Sequence, residues 1–262
     1  MPSLPLPLEV ELPDQFGSVA LMYPHGNNIA HAFHRSVGQL YRWDAENGLN
    51  VLQRELSMRS GANICRARNA LVVEFLKTDC EWAWWCDTDM VFQPDMLARL
   101  LTAAERADTK IVGALCVLVG DSDLTPTLFV DDPDTITKVS HNYPDDVVVE
   151  VAATGTGCLL VHREVFEAIQ QAAGGSEFCW FTEGERVGGD GIGRWIGEDV
   201  NFCLIARSLG YRVYVDCTTH VGHQKGNRVW WPRQIREGHG VGDVTGPAVL
   251  EADLDIPEPV PA

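Results

Sequence analysis

The segment Trp82–Gln93 reads W-A-W-W-C-D-T-D-M-V-F-Q: a tryptophan-rich apolar run that delivers two aspartates separated by one threonine. In extended backbone, residues two apart point the same way, so Asp87 and Asp89 can face one cation. Hard divalent ions favour such oxygen ligands. A pair of acids capping a turn before a helix that opens at Pro94 is the plainer alternative. Two more groups of titratable side chains lie downstream. Gly197-Glu198-Asp199 opens a helix, where the helix dipole by itself stabilises acids. Cys217–His223, C-T-T-H-V-G-H, places His220 and His223 in a short segment leaving a strand. Either imidazole could complete a metal shell, and a core or turn hydrogen bond is the alternative for both.

The elements that must position these groups alternate along the chain. Strands are expected at Ser18–Tyr23, Asn50–Leu56, Glu81–Cys86, Lys110–Val119, Val147–Ala152, Gly157–Val161 and Tyr211–Val215. Helices are expected at Asn28–Tyr41, Ala62–Lys77, from Pro94 onward, Arg163–Ala172 and Glu198–Leu209, the last ending at Gly210. This alternation predicts an α/β sandwich with a mainly parallel sheet, whose ligands bind beyond the carboxyl ends of the strands. Asp87 and Asp89 lie at such an end. The chain of 262 residues is enough for one large domain or two small ones. The reading divides it into an extended tail over 1–14, one catalytic domain over 15–235 and an acidic, proline-rich tail over 236–262. Six of the 14 residues in Gly184–Gly197 are glycine, which predicts a mobile loop.

A net charge of −17 disfavours a broad nucleic-acid-binding surface. The eight cysteines include no C-x-x-C pair, which points to scattered reduced thiols. With no basic segment before Arg35 and no long apolar run, the expectation is a cytoplasmic protein without a membrane span.

Five segments in this order resemble the GT-A nucleotide-sugar glycosyltransferases, of the family 2-like, short bacterial or bacteriophage type. They are Y-P-H-G (Tyr23–Gly26), I-C-R-A-R-N-A-L (Ile64–Leu71), W-W-C-D-T-D, G-E-D-V-N-F-C-L-I-A-R-S-L-G (Gly197–Gly210) and V-G-H (Val221–His223). The resemblance covers roughly Ser18 to Arg233. It implies the GT-A fold, a three-layer α/β/α sandwich with a mixed, mainly parallel sheet. It implies a UDP- or GDP-linked sugar donor, held near Tyr23, Pro24, Arg68, Asp87, Thr88, Gly157 and Arg228. It implies a metal site of Asp87, Asp89 and His223. Such a donor set suits Mn²⁺ somewhat better than Mg²⁺. By the same resemblance Asp199 is the base that deprotonates an acceptor hydroxyl, with inversion slightly favoured, and Glu198 orients substrate or braces the helix. The acceptor would be a protein, a glycan or a modified DNA base, in the host cytoplasm for a phage-encoded chain.

The glycine-rich segment could then close over the donor, with Arg194 reaching phosphate and Trp195 or Trp180 meeting the acceptor. Two other classes compete. D-T-D-M-V also fits the haloacid-dehalogenase-like phosphatases, with Asp87 as nucleophile, although that motif belongs on a first strand and leaves G-E-D and V-G-H unused. A non-catalytic sugar-binding module would need no base.

Overall fold

Every residue from Trp82 to Cys86 is apolar because both faces of this strand are covered. The computed structural model, which describes residues 3–5, 17–120 and 123–236, places it inside a sheet between two helical layers. The predicted tails lie almost wholly outside the described residues. In chain order the elements are β1 (Ser3–Pro5), β2 (Val19–His25), α1 (His31–Glu46), β3 (Leu52–Arg59), α2 (Ile64–Leu76), β4 (Trp82–Cys86), β5 (Met90–Val91), α3 (Met96–Arg106), β6 (Ile111–Leu115), β7 (Val117–Val119), β8 (Leu124–Pro126), β9 (Phe129–Asp131), β10 (Thr137–Val139), β11 (Val147–Val151), β12 (Cys158–His162), α4 (Arg163–Ala172), β13 (Gly184–Val187), β14 (Gly193–Ile196), α5 (Glu198–Ser208), β15 (Val213–His220), β16 (Gly222–Lys225), β17 (Arg228–Trp230) and α6 (Pro232–Arg236).

The main sheet has the order β1-β11-β15-β6-β12-β4-β2-β3. Strands β3, β2 and β4 are mutually parallel, and so are β6 and β15, while β12 runs antiparallel between the two sets. Strand β11 is the other reversed member. The period of two splits β4 between the two layers. Ala83 and Trp85 pack with Leu71, Val72 and Phe75 of α2, Phe166 of α4 and Phe202 of α5. Trp84 and Cys86 pack with Phe33 and Leu40 of α1 and Leu97 and Leu100 of α3. The result is the α/β sandwich expected from the alternation, in the three-layer α/β/α form that the resemblance implies, with a core on each side of the sheet.

Several local expectations are corrected. The glycine-rich segment is an ordered hairpin, β13 against β14, with Glu185 opposite Trp195 and Arg186 opposite Arg194. Its glycines serve close approach: a Cβ at Gly189 would collide with the Pro133 carbonyl oxygen. Pro94 sits in the turn ahead of α3, whose N-cap is Asp95. The apolar run Lys110–Val119 breaks at Cys116, so that β7 leaves the main sheet and pairs with β8.

Candidate active site

Strand β4 ends at Cys86, and the chain then turns instead of continuing in the extended form that would put both carboxylates on one side. The Asp87 amide donates to the Gly157 carbonyl at 3.0 Å, and the Asp87 carbonyl accepts from the Met90 amide at 3.0 Å. The turn sends the two carboxylates to different partners. Asp87 stays on the Trp85 side and accepts from Arg68 of α2 at 3.3 Å. Asp89 is carried toward β16, which pairs with the short strand β5 so that His223 lies opposite Met90. The Gln224 amide fixes this join by donating to the Asp89 carbonyl at 2.7 Å.

The Asp89 side chain then meets an imidazole and an ammonium at one oxygen: His223 Nε2 lies 3.1 Å and Lys225 Nζ 2.8 Å from Oδ2. Burial alone would raise its pKa, but these partners outweigh it and hold the carboxyl down at about 2. The ring of His223 is oriented from behind, with Nδ1 2.8 Å from the Val117 carbonyl. A carbonyl only accepts, so Nδ1 carries a proton and Nε2 is the nitrogen turned to Asp89. An imidazole fixed through Nδ1 and presenting Nε2 beside a carboxylate is the arrangement of a metal-ligating histidine. Asp87, Asp89 and His223 therefore fit a hard divalent cation by donor type. They are not assembled around one point, because Arg68 draws Asp87 aside.

His220 is not directed to this place; its Nε2 lies 3.0 Å from the Cys217 carbonyl within β15. Among the described residues, the donor atoms of Cys65, Glu183 and Glu198 do lie within 4.8 Å of one another. That group suits a cation less well, since Glu198 is already paired with Arg68 and burial raises the Cys65 thiol pKa.

Arg68 is the hub of the opposite wall. It is 5% exposed, and its guanidinium donates to Glu198 at the start of α5 as well as to Asp87. Its Nε has no partner among the described residues. Next along α5, Asp199 accepts from the Val200 amide at 2.7 Å. Burial raises the Asp199 pKa, against the Val200 hydrogen bond and the Arg68 charge, and the Asp87 charge raises it further. Glu198 is raised too, by burial that exceeds the pull of Arg68. The loop between β11 and β12 runs past both aspartates: a Cβ at Gly155 would lie 3.5 Å from Asp199 Oδ2, and one at Gly157 3.8 Å from Asp87 Oδ2.

Between these walls lies an open cleft of about 510 Å³, lined by Pro24, Ile64, Arg68 and Asp87–Asp89, with Asn28, Ala30, Gln224 and Gly226. It opens where the sheet rule places a ligand, beyond the carboxyl ends of β2 and β4.

No protein-family model matches the chain, and neither does any curated protein sequence. Solved structures do. A crystal structure of A197 from STIV superposes with a TM-score of 0.55 at 16% identity, covering 82% of this chain and 91% of that one. A crystal structure of GalNAc-T7 with UDP, GalNAc and Mn²⁺ superposes with a TM-score of 0.53 at 12% identity, covering 80% of this chain and 44% of that one. The fold is GT-A-like.

On this GT-A-like framework the sequence-predicted residues separate. Pro24, Arg68, Asp87, Thr88 and Asp89 share the cleft, and His223 touches Asp89. Tyr23 does not reach it: the residue is buried and its hydroxyl donates to Glu55 of β3, with burial first and then Glu55 raising the phenol to about 12. Trp180 cannot meet an acceptor, because it is 0% exposed and its indole N–H donates to the Phe166 carbonyl at 2.8 Å. Arg194 is turned into its own hairpin, 2.9 Å from Asp190 Oδ1. Trp195 on the same hairpin is 68% exposed, beside exposed Val187. Arg228 lies opposite Lys225 in the β16–β17 hairpin, its guanidinium carbon 5.9 Å from the centre of the Trp230 ring. Asn28, Ala30, Ile64, Gln224 and Gly226 were missed as lining residues. The only sequence signal for Gln224 was its place directly after V-G-H.

Proposed function

We propose that this chain is a glycosyltransferase that moves a sugar from a nucleoside-diphosphate sugar, UDP- or GDP-linked, to an acceptor hydroxyl. The observation that carries the reading is the Val117–His223–Asp89 relay at one edge of a cleft whose other wall holds Arg68 and Asp87, with Asp199 across the Gly155–Gly157 loop.

Asp87, Asp89 and His223 would hold Mn²⁺ or Mg²⁺, which would supply positive charge for the departing diphosphate. Pro24, Ala30 and Ile64 offer an apolar bed for the nucleoside, with the Asn28 amide beside them. Asp199 takes the proton of the attacking hydroxyl. Its burial suits this task, since a base with a raised pKa holds a proton better at the moment of attack. A carboxylate acting on the acceptor itself leads to inversion at the anomeric carbon. Glu198 and Arg68 brace the first turn of α5 and so set where Asp199 stands. Trp195 and Val187 present an apolar face on the hairpin that runs into α5, and we assign them to the acceptor.

A nucleophilic Asp87, as a phosphatase would need, leaves Asp199 and His223 without a task. The test is a panel of UDP- and GDP-sugars with Mn²⁺, following release of free nucleotide. Turnover of at least one donor, lost in Asp89→Ala, is expected. No binding of any donor, or an aspartyl-phosphate trapped on Asp87, would refute the reading.

A further inference from the structure

Lys225 stands at the tip of β16, where the backbone is pinned and the side chain is half-exposed. Gln224 is bonded to the Asp89 carbonyl, and the turn beyond Lys225 is closed by Gly226 at φ +60°. The Lys225 side chain remains 48% exposed, while its Nζ sits 2.8 Å from Asp89 Oδ2. Its two neighbours in sequence, Gln224 and Gly226, both line the cleft. A four-carbon stem on such an anchor can carry its charge between Asp89 and the cleft without any movement of the strand. An ammonium held at Asp89 Oδ2 repels a divalent cation brought to the same carboxylate.

We infer that Lys225 is a tethered counter-ion: it occupies Asp89 when no divalent cation is bound, and turns to the diphosphate of the donor when one is. The inference rests on the metal-dependent reading above and adds a coupling to it. Freeing Lys225 creates a cationic contact for the diphosphate, so cation and donor bind cooperatively. The same competition weakens binding of the cation alone.

Two measurements on the full chain test this. Mn²⁺ binding, followed by loss of the free-ion electron paramagnetic resonance signal, is expected to be roughly three- to tenfold tighter in Lys225→Met than in the wild type. Acetylation of Lys225 by an activated ester, read by peptide mass spectrometry against surface Lys77, is expected to speed up with Mn²⁺ alone. It should slow again when UDP or GDP is added with the Mn²⁺. Equal or weaker Mn²⁺ affinity in Lys225→Met, or labelling that Mn²⁺ alone leaves unchanged or slows, would overturn the role of Lys225. If wild type and variant both bind Mn²⁺ equally and donor turnover persists, Lys225 loses its role and the function stands. If neither protein binds Mn²⁺, this inference and the metal-dependent reading fall together.

Discussion

Replacing Arg68 with methionine removes the charge that ties Asp87, after β4, to Glu198 of α5, while keeping a side chain to fill the space. The Arg68 and Glu198 side chains are 6% and 15% exposed, so this is a buried ion pair. Breaking such a pair from one side costs about 3–5 kcal/mol, because the remaining charge is left without compensation. Two effects reduce the figure. The unpartnered Nε leaves with the arginine, returning about 1 kcal/mol. Glu198 can also take up a proton, since burial already holds its pKa above the ordinary 4.5 and loss of the Arg68 charge raises it further. About 2–4 kcal/mol is therefore expected at pH 7.

The double variant Arg68→Met/Glu198→Gln removes the charge that the single variant strands at position 198 and should recover to within about 1.5 kcal/mol of the wild type, a coupling of about 2 kcal/mol. The pH dependence comes from the direction of the Glu198 shift. The ionised form is disfavoured in the folded chain, so the penalty is absent below about pH 4.5 and grows as pH rises above it. The Arg68→Met deficit should shrink between pH 7 and pH 4. Urea denaturation of Arg68→Met, Glu198→Gln and the double variant at both pH values, at matched slope, measures all of this. A single-variant cost under about 1 kcal/mol, or a double variant equal to the sum of the singles, would show that Arg68 does not brace the site.

The same geometry carries further expectations. Asp199→Asn should cut turnover by about 10²–10⁴-fold with donor affinity kept, measured by steady-state kinetics and calorimetry. Because Asp199 acts ionised and burial raises its pKa, wild-type turnover should rise with pH across a window above the ordinary 3.8, and the Asn variant should lack that limb. Trp180→Ala removes a fully buried ring and its hydrogen bond to the Phe166 carbonyl, so a loss of about 3–5 kcal/mol in urea is expected with donor affinity unchanged in the folded fraction. Mn²⁺ at a hundred times its dissociation constant should stabilise the chain by about 2.7 kcal/mol, raising the melting temperature by roughly 5–10 °C, and Asp89→Ala should abolish the shift.

The layered fold was legible because its signals are local. A strand covered on both faces must be apolar throughout, as in Trp82–Cys86, and the amphipathic spacing of Ala62–Lys77 marks a helix with one buried side. Those patterns do not reveal how chain segments meet. Tyr23 and Trp180 carry the same side chains whether they face a ligand or a core, and only packing against Glu55 and Phe166 sets them inside. The glycine-rich segment looked mobile because glycine weakens local preference, whereas cross-strand pairing and contacts with Pro133 order it.

The available chemistry is written in the residue order: two aspartates after a buried strand, an acidic pair opening a helix, and histidines beyond the last strand. So is the order of strands and helices from which a GT-A-like sandwich arises. Which groups face each other depends on packing between distant segments. A turn, not an extended segment, divides Asp87 from Asp89, giving one to Arg68 and the other to His223 and Lys225. These contacts span 19, 134 and 136 residues of chain. No local propensity encodes such distances; they close only when β16 joins β5 and α2 packs beside α5.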